Sequence, residues 1–153
     1  MYVLPEDDAN RQLADGFVLH HQVKEARVQV MPPAGGWSTV LQTFQDEYLP
    51  RLGGYPQAHV VLLIDFDGQI ESRRSRFAEG IPEELKPRVF VIGMKDTPEA
   101  LKAALRQGFE QIGARLADDC GVDSAGLWDH DQLSHNEGER QRLVQTIKPI
   151  LFS

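Results

Sequence analysis

His59-Val-Val-Leu-Leu-Ile-Asp65-Phe-Asp67-Gly68 is a short apolar run that ends abruptly on two carboxylates and a glycine. Its five consecutive aliphatic residues, Val60 to Ile64, are too few for a free-standing buried helix and too uniform for a half-exposed strand. They predict a central strand covered on both faces, and with it an α/β layered domain. The acids then fall at the carboxyl edge of that strand, where open α/β sheets place their ligands, and Gly68 lets the chain turn sharply past them. Two aspartates side by side raise each other's pKa, so the pair calls for a divalent cation or a basic partner. Hard oxygen ligands favour magnesium, manganese or calcium over zinc. The blander alternative is a surface turn in which Asp65 caps the next helix and Asp67 is solvated.

Arg88-Val-Phe-Val-Ile92-Gly93 repeats the pattern downstream, ending in a glycine and the acid-bearing turn Met94-Lys-Asp96-Thr-Pro98-Glu99. Thr97-Pro98-Glu99 opens a helix, with a hydroxyl at the cap, proline in the first turn and an acid near the positive end of the dipole. The apolar spacing carries that helix from Pro98 to about Asp118, with a kink at Gly108. Glu99 is thereby placed at the same sheet edge as Asp65 and Asp67.

Upstream, Tyr2-Val-Leu4 reads as a first strand and Ala9 to Leu19 as a helix, through Leu13, Ala14, Phe17 and Val18. Asp7 or Asp8 suffices to cap it, which leaves Glu6 as a candidate ligand. Arg27 to Met31 reads as a second strand, Pro32-Pro33-Ala34-Gly35-Gly36 as a loop, and Trp37 to Tyr48 as an amphipathic helix. Gly35 and Gly36 either admit a phosphate to the helix N-terminus or form a plain loop. Arg73, Arg74 and Arg76, just beyond the acidic pair, either grip phosphates or balance the acids. The tail reads as a loop from Asp119 to Asp131, packed down by Trp128, and then an amphipathic helix with Leu143, Ile147 and Ile150. His130 and His135 are metal ligands or a general base in one reading and surface or capping residues in the other.

The 153 residues fit one domain, a core at 1–105 with a helical extension at 106–153. Cys120 is the only cysteine, which rules out an internal disulfide and a thiolate zinc cluster, and it reads as a small buried hydrophobe. No apolar run is long enough to span a bilayer and no signal peptide is legible, so no membrane is expected and the cytoplasm is the expected location. A net charge of −7 argues against wrapping nucleic acid by bulk electrostatics, though a nuclease remains compatible, since a metal-binding carboxylate site contributes to that count.

An acid after the first strand (Glu6), Gly35-Gly36 after the second, Asp65 and Asp67 after the third and Glu99 after the fourth together resemble the Toprim domain over about residues 1–105. The order is similar in particular to small bacterial Toprim-type nucleases related to the overcoming-lysogenization-defect family. Where the family follows its first glutamate with glycine, this chain has Asp7. The resemblance implies a single α/β domain with a mostly parallel sheet of about four strands and helices on both faces. It implies a magnesium- or manganese-dependent nuclease, with Glu6 as ligand or general base, Asp65 and Asp67 as the metal-binding pair and Glu99 as a further ligand. The expected partner is nucleic acid. Leu-Ile-Asp65-Phe-Asp67-Gly68 also resembles the phosphoryl-acceptor motif of haloacid-dehalogenase phosphatases, but Gln69 stands where that family has threonine, and two strands precede the motif. A third reading is a non-catalytic module whose acidic edge binds a protein partner or a regulatory metal.

Overall fold

The computed structural model describes residues 1–152. Four strands, β1 (Tyr2–Pro5), β2 (Gln29–Val30), β3 (Val60–Leu63) and β4 (Val89–Ile92), form one all-parallel sheet in the order β2-β1-β3-β4. In chain order the helices are α1 (Asp8–Val18), α2 (Trp37–Thr43), α3 (Leu49–Gly54), α4 (Ile70–Gly80), α5 (Pro98–Leu105), α6 (Phe109–Gly121) and α7 (Glu137–Leu151). The protein is thus an α/β domain, and among the described residues no helix is long and apolar enough to cross a membrane.

The aliphatic run is central as expected, and its two-residue period divides the core. Val3, Val61, Phe90 and Ile92 pack with α1, α5, α6 and α7, whereas Leu4, Val60, Leu62 and Val89 pack with α2, α3 and α4. Both faces are covered, which is why the strand shows no polar alternation. Residues 106–152 are more than an appendage to this core: Ile112, Leu116, Leu143 and Ile147 are buried against the sheet. Each contributes on the order of 1.5–3 kcal/mol of apolar burial.

Several boundaries differ from expectation. The predicted helix through Gly108 is two helices, because Arg106 adopts a left-handed conformation (φ 53°) that ends α5, and Gly108 then caps α6. The helix from Trp37 does not stop at Tyr48 but passes through a π-turn, Phe44–Tyr48, into α3. Pro50 lies in the first turn of α3, where its missing N–H is tolerated. The second strand shrinks to Gln29–Val30, preceded by a 3-10 turn at Glu25–Arg27. The tail read as a loop holds the end of α6 and a further 3-10 turn at Gly126–Asp129.

Side chains line the outer edge of β4. Glu139 accepts the Val91 N–H (2.9 Å), Arg142 donates to the Val89 carbonyl (3.2 Å), and the Asn136 amide both accepts from Gly93 N–H (3.2 Å) and donates to its carbonyl (2.9 Å). Gly93 itself is enforced by close approach, since a Cβ there would lie 1.5 Å from the Ile64 carbonyl oxygen.

The connections set the site. From β1 the chain crosses to β2 by α1 on one face; from β2 it returns over β1 to β3 by α2 and α3 on the other. Helices α1 and α4, which follow the neighbouring strands β1 and β3, therefore leave toward opposite faces. A crevice opens between the carboxyl ends of those two strands, as it does wherever the winding of an open α/β sheet reverses.

Candidate functional site

Glu6 and Asp65 meet in this crevice. Glu6 continues β1, its N–H bonded to the Leu63 carbonyl (2.9 Å), and its Oε2 accepts the backbone N–H of Asp65 at 2.6 Å. Asp7 caps α1 as expected, its Oδ1 accepting from the Asn10 N–H (2.9 Å) and from Asn10 Nδ2 (3.0 Å). The same Nδ2 donates to Asp65 Oδ1 at 2.8 Å, so Asn10 ties the loop after β1 to the acid after β3. Because Nδ2 faces two carboxylates, the amide orientation is fixed by its partners. Asn10 Oδ1 is left buried without a donor.

Asp65 is only 5 % exposed, and its carboxyl is pushed up to about 7. Burial is the main cause, with the charges of Asp7, Glu6 and Asp67 adding to it against the opposing Asn10 hydrogen bond. Glu6 is also raised, again chiefly by burial, with the Asp65 N–H bond opposing and Asp7 and Asp67 reinforcing.

Beyond Asp65 the chain turns through two successive left-handed residues, Asp67 (φ 47°) and Gly68 (φ 74°), and the Gly68 N–H bonds the Lys95 carbonyl at 2.8 Å. This is the sharp turn expected of the glycine, and it sends the Asp67 carboxylate outward. There Arg73 meets it: Nη1 donates to Asp67 Oδ2 (2.6 Å) and to the Asp65 carbonyl (2.5 Å). The buried guanidinium lies 4.9 Å from the Trp37 ring centroid, and its Nε has no partner.

The three arginines do not share one grip. Arg74 points toward the tail, over the Phe66 ring and onto the His135 carbonyl, while exposed Arg76 borders a cleft between α2 and α4. Glu99 lies at the expected end of the sheet in the first turn of α5, exposed, and no hydrogen bond or ion pair among the described residues joins it to the crevice. The Gly35 N–H bonds the Glu6 carbonyl (2.9 Å), so this loop is tied to β1, and Gly36 caps α2.

His135 has a structural setting, Nε2 2.8 Å from the Gly93 carbonyl and the ring edge-on to Phe66, and burial lowers its pKa. His130 accepts the Gln132 N–H through Nδ1 (3.1 Å). Cys120 is buried, its thiol pushed to about 12 by burial, which leaves no thiolate nucleophile near neutral pH. Trp128 packs the tail, donating to the Leu116 carbonyl (3.3 Å). Asn10 is the site residue the sequence reading missed; an amide among Ala9, Leu13 and Ala14 on the buried side of α1 was the available signal.

Among the described residues no three His, Cys, Asp or Glu side chains converge as a ready metal cage. Magnesium does not require one, since it commonly binds through one or two carboxylates, waters and substrate phosphates. The donor set fits such an ion: four carboxylates, Glu6, Asp7, Asp65 and Asp67, lie close enough to act on one another, and among the described residues Arg73 is the cation bonded to them. No protein-family model, curated protein or solved structure matches the chain.

Proposed function

We propose that the chain is a magnesium- or manganese-dependent phosphodiesterase acting on nucleic acid, built on a Toprim-like domain and working in the cytoplasm. The observation that carries this reading is the contact between Glu6 Oε2 and the Asp65 N–H, 59 residues apart in sequence, where the winding of the sheet reverses. A buried acid (Asp65) beside a half-buried one (Glu6), both with raised pKa values at such a point, is a recurrent mark of functional sites.

In this reading Asp65, Asp67 and Glu6 hold the cation. When bound, the ion supplies Lewis-acid polarisation of a phosphate and a water acidic enough to attack near neutral pH. The protein's own groups do the rest. Asn10 fixes the orientation of the Asp65 carboxyl through Nδ2. Asp65, titrating near 7, exchanges a proton readily at neutral pH before the ion arrives. Arg73 offers a planar donor set to a phosphate oxygen beside Asp67.

The non-catalytic alternative, a module whose acidic edge binds a protein partner, is favoured by one observation: Arg73 already neutralises Asp67. The phosphatase alternative expects a threonine where Gln69 stands and its motif on the first strand, whereas here the acids follow β3. Calorimetric titration of manganese and magnesium into the wild type and Asp67→Ala, followed by assays on DNA and RNA, separates the readings. The expected result is binding and cleavage that both disappear in Asp67→Ala while the fold is kept. Undiminished cleavage by Asp67→Ala removes the assignment.

A further inference from the structure

The cleft between α2 and α4 has a volume of about 400 Å3 and is bordered by Trp37, Gln42, Gln45, Arg76 and Glu79. Trp37 belongs both to this cleft and to the acidic crevice, because the Arg73 guanidinium bonded to Asp67 also lies against its ring. The indole is held further by Phe77, 6.2 Å away between centroids. A half-buried aromatic ring, one face of it covered by Arg73, is thus fixed where the two recesses meet.

The other groups around the cleft complement a nucleotide. Gln42 spends its amide N–H on Asp46 and Gln45 spends its own on the Gly80 carbonyl, so both are left to offer acceptor oxygens, and Glu79 offers more. Acceptors of this kind suit the exocyclic amino groups of bases. Arg76 is exposed and, three residues beyond Arg73 on α4, lies on the neighbouring turn of the helix. An indole, side-chain acceptors and an exposed arginine beside the acidic crevice match a base and its phosphate. A base can reach such a recess only when it is unstacked and unpaired.

We propose that this cleft is a nucleotide subsite that takes one unpaired base of a single-stranded nucleic acid against Trp37 and its phosphate on Arg76, leading the neighbouring phosphate to Arg73 and the acids. The inference rests on the phosphodiesterase reading for its substrate and adds to it the strandedness of that substrate.

The test is a metal-free titration with a short single-stranded oligodeoxynucleotide of mixed sequence, and with the same sequence as a duplex. Intrinsic fluorescence reads the event at Trp37, because the other indole, Trp128, is buried on Leu116. The expected result is saturable quenching by the single strand, with duplex binding about tenfold weaker and Arg76→Gln about tenfold weaker for the single strand. Trp37→Leu, followed by anisotropy of a labelled strand, loses a similar factor; should it fail to fold, exposed Arg76→Gln decides. Equal affinity for duplex and single strand, or unchanged binding in Arg76→Gln, overturns the subsite even where Asp67→Ala has abolished cleavage. Loss of binding in Arg76→Gln beside undiminished cleavage by Asp67→Ala supports the subsite and removes the metal assignment instead.

Discussion

Asp65 carries its proton to an unusually high pH because its carboxyl is buried among other acids, and that has a consequence for stability. The folded state binds this proton more tightly than the unfolded chain does, so between the ordinary aspartate value of 3.8 and about 7 stability falls as pH rises. Glu6 contributes with the same sign. Asp65→Asn, which keeps an acceptor for Asn10, is therefore expected to melt higher than the wild type at about pH 8, the difference fading toward about pH 4. Thermal melts across that range check it, and a pH-independent difference would show that burial of the charge is not the cause. Arg73 and Arg76 make a second contrast. Arg73→Gln strips partners from Asp67 and the Asp65 carbonyl and is expected to cost about 2 kcal/mol in denaturant unfolding, whereas exposed Arg76→Gln stays within about 0.5 kcal/mol.

At the scale of elements, legibility followed burial. β3 and β4 were readable because both of their faces are covered, and β2 was overread because it is a two-residue edge strand with little to bury. The break between α5 and α6 falls at Arg106, a residue type that does not announce a left-handed conformation, so only nearby Gly108 hinted at it. Glu6, Asp65 and Asp67 were legible as acids at strand ends. Asn10 was hidden behind the capping role of its own helix turn, and the arginines were grouped because neighbours in sequence look like neighbours in space. On a helix each residue turns about 100° from the last, which is why Arg74 swings away to the tail while Arg73 and Arg76 stay on the side of Trp37. Gly93 offers the test at this scale: a methyl group there forces the ends of β3 and β4 apart beneath Asp65. Gly93→Ala is expected to cost about 3 kcal/mol or more in denaturant unfolding and to weaken manganese binding in parallel; an unshifted midpoint would mean that the strand ends yield easily.

For the molecule as a whole, the net charge of −7 repels nucleic acid at a distance, so any affinity for it must come from short-range contacts in and beside the crevice. A shallow dependence of oligonucleotide binding on salt is the expected signature; a steep one would point to many phosphate contacts on another surface. The sheet bears on how such molecules meet one another. One border is a strand of two residues, and the other has its amide and carbonyl groups occupied by Asn136, Glu139 and Arg142. Replacing Asn136 and Glu139 together by alanine is expected to leave the secondary structure in place but to bring turbidity on mild heating, detected by light scattering. Clear solutions at every temperature would mean that the helix alone shields the strand. The side chains along β4 thus act as a terminator: they deny a second chain the template on which ribbons and fibrils grow, and leave encounters between copies to the helical flanks.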